Sequence, residues 1–431
     1  MSLYEQLLTR DSHRKRRKRI FLSVVAAVAI VVLAVASYVV FIAVRANNDV
    51  MRSNALEGLT GVPKLGKDTN ILVMGLDSRV DENGKPLSAA LYSALDAGDQ
   101  SIGGYNANVL MLIHIPADGA KATAISIPRD DYVQVEGIPG QSISAKIKEA
   151  YGYGLAAEQT ALLKAGKPND NASYQQAREA GRHAELATVS AFLGSVHIDH
   201  FVEVTMAGFY QVAEAVAPIT VCLNRATQDT YSGADFKKGV QQIDAKQAMA
   251  FVRQRRDTTD PSYSFSDLDR ERRQQAFIVS VIHQLKQAGT FTDIPKMEGV
   301  LNAVSHNIVV DSGLNLIDLA QQAGSITGGN ISFSTLPITG FGTSPSGESI
   351  NTVDVANVQA TVKELLAPPK AAGTAPVTKA PAADSPSVPA PAQAPASKAP
   401  TSSTAKPAAK APTVYSDWTG ALQGGSIACV K

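Results

Sequence analysis

From Ile20 to Val44 the chain runs 25 residues without a charged side chain, enough to cross the apolar core of a bilayer as a slightly tilted helix. Six consecutive basic residues, Arg14 to Arg19, precede it. Basic flanks stay on the cytoplasmic side, so residues 1–19 are expected inside and everything after about Arg45 outside. Ala34-Val35-Ala36 resembles the cleavage site of a secretory signal, but the apolar run continues to Val44, beyond the roughly 7 to 15 residues of a usual signal core. The expectation is a single-pass protein of the cell membrane: a cytoplasmic basic segment over 1–19, one transmembrane helix over 20–44, and an extracytoplasmic main domain.

Charge excludes one class of partner. The formal net charge is +1, so the chain outside that six-residue block carries about −5. No broad basic face remains for a nucleic-acid backbone, and a regulator that reads DNA would have to do so with 19 N-terminal residues, too few for a core. No nucleic-acid partner is expected.

Residues 66–366 have the composition of a globular domain and are numerous enough to bury a sizeable core. Residues 367–413 are mostly Pro, Ala, Ser, Thr and Lys; they bury too little apolar surface to offset ordering, so a disordered, extended linker is expected. The tail 414–431 regains Trp418, Leu422, Ile427 and Cys429, which a spacer does not need, and is expected to dock. The other cysteine is Cys222. Outside the cytoplasm the two allow one disulfide; the alternative is one buried and one dangling thiol.

Short β-branched runs predict strands at Asn70–Leu76, Val109–Ile115, Lys121–Ile127, Phe201–Val204, Ile219–Leu223 and Ile331–Leu336. Apolar residues at spacings of three and four predict helices at Tyr174–Leu193, Met206–Val216, Ala245–Arg253, Asp267–Gln287 and Val353–Leu366. Strands broken by helices imply an α/β fold, an α-β-α sandwich with a central mixed sheet.

The polar residues of interest fall at strand ends, where such folds collect ligands. One strand runs into Gly75-Leu76-Asp77-Ser78-Arg79 and another into Pro128-Arg129-Asp130-Asp131. Taken singly, each also reads as an ordinary turn in which an Asp bonds its own backbone. Between Met249 and Gln275 stand Arg253, Arg255, Arg256, Arg270, Arg272 and Arg273. Guanidiniums gathered in this way suit phosphate oxygens, which they meet two at a time. Arg270 and Gln274, four apart, share a helix face with Arg273 beside it, whereas Arg253 and Arg255 share one only if the helix ends near Arg253. His197-Ile198-Asp199-His200 has metal-ligand residue types but leads straight into a strand and reads as structural. The stripe Ala276, Phe277, Ile278, Val281, Ile282, Leu285 reads as core that can also line an apolar tunnel.

The ordered segments Asn70–Arg79, Ile125–Asp131, Lys146–Gly154, Ile198–Val204, Ala248–Arg256 and Asp267–Gln275 resemble those of the LytR-CpsA-Psr family of envelope proteins. The resemblance implies a membrane-anchored phosphotransferase that moves a glycopolymer from a polyprenyl pyrophosphate carrier onto peptidoglycan through a phosphodiester, with Mg2+ as cofactor. It implies that Asp77 binds the metal and that Arg129, Lys146, Arg253, Arg255, Arg270 and Gln274 hold the pyrophosphate. Arg129, Arg253, Arg255 and Asp130 are the expected catalytic residues. Asp130, Asp131 and Asp77 are the candidate bases, a carboxylate near magnesium being a weak but usable one.

Two departures from the family pattern stand out. Where it usually has Arg-x-Asp-Thr, this chain has Asn106-Ala107-Asn108-Val109, so the second metal ligand becomes Asn108, a neutral oxygen that should hold the ion more weakly. Ala217-Pro218 replaces a common glycine pair. The rival functions are a pyrophosphatase acting on the same lipid and a non-catalytic protein that binds lipid pyrophosphate or cell wall. No Gly-x-Ser-x-Gly, phosphate-loop or His-Glu-x-x-His pattern supports other hydrolases.

Overall fold

The computed structural model describes residues 47–59, 68–98, 104–263, 265–287, 308–316, 329–368 and 411–431, with 41, 44, 45, 298–300 and 302. Among the described residues no helix is long and apolar enough to cross a membrane. The stretch 20–44 lies outside them except for Phe41 and Val44, as do the cytoplasmic segment and nearly all of the linker.

The centre is an eight-stranded mixed sheet in the order Met51–Ser53, Ile308–Asp311, His200–Thr205, Thr69–Leu76, Ala107–Ile115, Ala122–Ser126, Ile331–Thr335, Leu422–Gln423. Thr69–Leu76 pairs parallel with His200–Thr205 and antiparallel with Ala107–Ile115. Ala122–Ser126 is antiparallel to Ala107–Ile115 and parallel to Ile331–Thr335. The carboxyl ends of four strands therefore meet the amino end of Ala107–Ile115 along one edge, and there the chain turns into Asp77 and Arg129.

Side-chain alternation splits the core in two. Leu72, Met74 and Leu76 pack with Tyr151, Leu186 and Val358 from the helices Ala150–Lys164, Asn171–Phe192 and Val355–Leu365. Val73 faces the opposite way, towards the cluster of Ala213, Phe251 and Phe277 from Met206–Val216, Ala245–Arg253 and Asp267–Gln287. Helices thus cover both faces, as the sequence predicts. The strands and helices expected within 66–366 are present to within three residues at each boundary.

Helix Ala150–Lys164 lies outside the helices expected from periodicity. The structure gives Gly154 a packing role: a Cβ there would lie 2.6 Å from the Ala180 carbonyl oxygen, and one on Gly181 2.7 Å from the Tyr151 ring. The two helices touch because both residues lack side chains.

The tail docks twice. Ala428–Val430 pairs parallel with Ile219–Leu223 in a second, four-stranded sheet, and Leu422–Gln423 adds to the edge of the central one. Cys222 and Cys429 are bonded, with Cα atoms 4.3 Å apart; of the two alternatives for these cysteines, the disulfide is the one found. In the His197–His200 segment the His200 ring meets the Asp311 carboxylate at 3.1 Å, and among the described residues no group of three or more His, Cys, Asp and Glu is placed to hold a metal ion.

Candidate functional site

Against the second face of the sheet lies a cavity of about 620 Å³ whose wall has two chemically distinct parts. Val73, Val202, Phe209, Val216, Phe277 and Val281 line an apolar part. Asp77, Arg79, Asn108, Arg129, Arg270 and Gln274 line a polar part, joined by Arg253, Arg255 and Arg256. Helix Ala245–Arg253 ends at Arg253, as the spacing requires, and the chain beyond it brings Arg255 to the same wall.

One carboxylate organises these cations. Asp267, in the first turn of the long helix, accepts from Arg129 Nε at 3.0 Å and Nη2 at 2.9 Å, and from Arg270 Nη2 at 3.0 Å. Arg255 Nη1 lies 3.9 Å away. Burial pushes the Asp267 carboxyl up, but Arg270 and Arg129 outweigh it and hold its pKa below the usual carboxylate range. Burial, reinforced by Arg129, brings Arg270 down to about 10. Arg270 thus stays charged at neutral pH while still short of anionic partners, its Nε being buried and unpaired. Arg253 is also lowered by burial and donates to the carbonyl of Leu95 at 2.7 Å.

The structure does not bring every predicted residue here. Lys146 is absent from the cavity wall; its ammonium pairs with Glu348 at 3.2 Å and Glu149 at 3.7 Å. Asp130 is held by Lys148 at 2.6 Å and is likewise off the wall. Asp131 is fully buried, accepts from Asn351, and is raised well above the carboxylate range by burial. Asp77 alone of the three candidate bases reaches the cavity. The arginine run also divides. Arg272 donates to the carbonyls of Trp418 and Gly420 in the tail, and Arg273 to Gln254 at 2.6 Å, beneath the rings of Phe251 and Phe265. Both belong to the scaffold, so Arg273 does not stand beside Arg270 in the site. Asp267 escaped the sequence reading as a site residue although its i, i+3 spacing to Arg270 at a helix start signals such a pair. Arg79, from the first strand-end cluster, and Arg256, from the arginine run, also join the wall.

Magnesium is usually held by one or two carboxylates together with water and substrate phosphates. Asp77 offers one such carboxylate on the wall. The Asn108 amide oxygen instead accepts from Arg129 Nη1 at 2.6 Å. The donor set fits an ion held by Asp77 and substrate oxygens rather than a cage of protein ligands.

In this α/β fold the arginines and the apolar lining share one cavity, an arrangement compatible with both an anionic head group and a hydrocarbon tail. The chain belongs to the LytR_cpsA_psr family, whose model matches residues 38–366. It is similar to the cell wall biosynthesis protein LcpA of Corynebacterium glutamicum, 36% identical over 352 residues, 80% of this chain and 65% of the relative. A second relative is the polyisoprenyl-teichoic acid--peptidoglycan teichoic acid transferase TagU of Bacillus mycoides, 29% identical over 57% of this chain and 65% of its own. The chain thus spans somewhat under two thirds of each of these proteins. Among solved structures, the LytR-Csp2A-Psr enzyme of Actinomyces oris aligns over 74% of this chain and 97% of its own, at 18% identity and a TM-score of 0.47.

Proposed function

We propose that this protein is a membrane-anchored phosphotransferase that moves a glycopolymer from a polyprenyl pyrophosphate carrier onto peptidoglycan. The observation that carries this reading is the joining, in one cavity of about 620 Å³, of six arginines and Asp77 to a pocket lined by Val and Phe. Stretch 20–44 anchors the chain with residues 1–19 in the cytoplasm, so that the cavity meets its lipid outside the cell membrane. Family membership and the name of the TagU relative, a peptidoglycan teichoic acid transferase, support the same reaction class.

An acceptor hydroxyl oxygen attacks the phosphorus that bears the sugar. The bond to the bridging oxygen breaks, polyprenyl monophosphate leaves, and a phosphodiester remains. Charge gathers on the non-bridging and leaving oxygens, and the wall supplies Arg129, Arg253, Arg255 and Arg270 to stabilise it, with Gln274 as a neutral donor. Arg129 is pre-aimed by its two bonds to Asp267, so little reorganisation is needed when charge develops. A magnesium ion held by Asp77 would neutralise further charge on the pyrophosphate. Asp77 is also the candidate base that reaches the cavity; Asp130 and Lys146 act from outside the wall, tuning the charge around Arg129 and the helix start behind it.

The test is a binding comparison on the full chain in detergent. A short-chain polyprenyl pyrophosphate should bind at least tenfold more tightly than either the matching polyprenol or inorganic pyrophosphate, since each of those fills only half the site. Equal affinity for the polyprenol would remove the arginines from ligand recognition and sink the proposal.

A further inference from the structure

The polar wall of the cavity includes a hairpin turn that phosphate binding leaves unexplained. Strands Thr227–Asp229 and Ala234–Phe236 pair antiparallel, and the turn between them places Asp229, Tyr231 and Ser232 on the cavity wall beside Arg255 and Arg256. Tyr231 is 68% exposed. Its ring carries the Arg256 guanidinium at 4.1 Å from the centroid.

The turn is fixed from within. The buried Asp229 carboxylate accepts from the Tyr231 backbone N–H and from the Ser232 hydroxyl, each at 3.0 Å. Thr258 donates its backbone N–H to the Gln228 carbonyl at 2.8 Å, which ties the Arg256 segment to the same hairpin. Gly233 has φ +71, and a Cβ there would stand 3.2 Å from the Asp96 carboxylate, so the turn also abuts the loop whose carbonyls receive Arg253. A large aromatic side chain is thus presented to solvent in a set position at the rim of an anion site, where it contributes nothing to the core.

We propose that Tyr231 and Arg256 form a subsite for the sugar ring next to the pyrophosphate. This rests on the reading of the cavity given above. A pyranose has one face of C–H groups and a rim of hydroxyls; the first suits an exposed tyrosine ring and the second a guanidinium with unspent donors. The rigid mounting lowers the ordering cost of binding. The same chemistry would serve the first sugar of the lipid-linked donor or the acceptor sugar of peptidoglycan. The donor is the one covalently joined to the phosphate that Arg255 and Arg270 address.

The experiment measures affinities of the full chain in detergent for three probes: a short-chain polyprenyl pyrophosphate, the same lipid carrying N-acetylglucosamine, and a peptidoglycan disaccharide. Tyr231→Ala should weaken the sugar-bearing lipid about tenfold and the bare lipid less than about twofold, while Tyr231→Phe keeps wild-type values. Loss confined to the disaccharide keeps the sugar subsite but assigns it to the acceptor. Equal loss for both lipids would overturn the proposal, as Tyr231 would then only hold Arg256 in place, and so would no loss for any probe. If the wild-type chain fails to bind the bare lipid, the reading of the cavity itself fails. Unchanged melting temperatures in both variants exclude misfolding as a cause.

Discussion

Replacing Asp267 with Asn separates positioning from binding. Three guanidinium N–H groups end on this carboxylate, at 3.0, 2.9 and 3.0 Å. An amide keeps one acceptor oxygen and turns an NH2 group towards Arg129, breaking the two-point fork. Bonds of this charge-assisted kind are worth about 1.5–3 kcal/mol each; losing one or two costs roughly 3 kcal/mol of alignment, or about a hundredfold in kcat. The effect on affinity has the opposite sign. A negative charge disappears from among the cations, and at an effective dielectric constant near 20 its repulsion of a pyrophosphate charge about 10 Å away is worth roughly 1–2 kcal/mol. Lipid pyrophosphate should therefore bind as well as to wild type or a few-fold better, while turnover collapses. Steady-state kinetics on a lipid-linked glycan, with direct binding of the bare lipid, reads both numbers. Weaker binding with unchanged kcat would instead make Asp267 part of the ligand contact rather than its support.

Asn108→Asp should tighten cation binding, measured with Mn2+ by electron paramagnetic resonance, because a second carboxylate then faces the site and Arg129 gains an ionic partner in place of its 2.6 Å amide contact. Glu185 is fully buried, and burial raises its carboxyl to about 8 even though it accepts from the Tyr151 N–H at 2.9 Å. The folded protein thus keeps a proton that the unfolded chain releases above about 4.5, so this group makes stability fall as pH rises from that value to about 8. Glu185→Gln should flatten that fall, giving a melting temperature above wild type at pH 8 and close to it at pH 4 to 5. Cys429→Ser opens a covalent loop spanning 207 residues in sequence, which chain entropy values at about 5 kcal/mol; chemical denaturation should show a large loss, and reduced wild type should match the variant.

The architecture was legible because its strands are β-branched and its helices amphipathic, so periodicity located Thr69–Leu76 and Asp267–Gln287 to within a residue. Glycine that serves helix contact leaves no such periodic mark, as at Gly154, whose missing Cβ admits the Ala180 carbonyl. In the site, Asp77, Arg129, Arg253, Arg255, Arg270 and Gln274 could be named from motifs and do share a cavity. Which arginines stay available could not be read, because that depends on partners distant in sequence. Arg272 and Arg273 are consumed by a tail about 150 positions away, and Lys146 by Glu348. Arg178 and Arg182 likewise clamp the buried Glu203, with Arg182 Nε at 2.8 Å, a network whose i, i+4 spacing was visible but whose partner was not.

The most direct measurement follows products by mass spectrometry when the full chain is incubated with magnesium, a short synthetic polyprenyl pyrophosphate glycan and a peptidoglycan fragment. Arg255, whose side chain is 48% exposed, can be changed to alanine with little risk to folding. A transferase should give a phosphodiester-linked conjugate and free polyprenyl monophosphate, both reduced about tenfold or more in Arg255→Ala. Glycan phosphate released to water in the presence of the acceptor would make the protein a pyrophosphatase, and a lipid bound but left intact would make it a binding protein; either result contradicts the transferase.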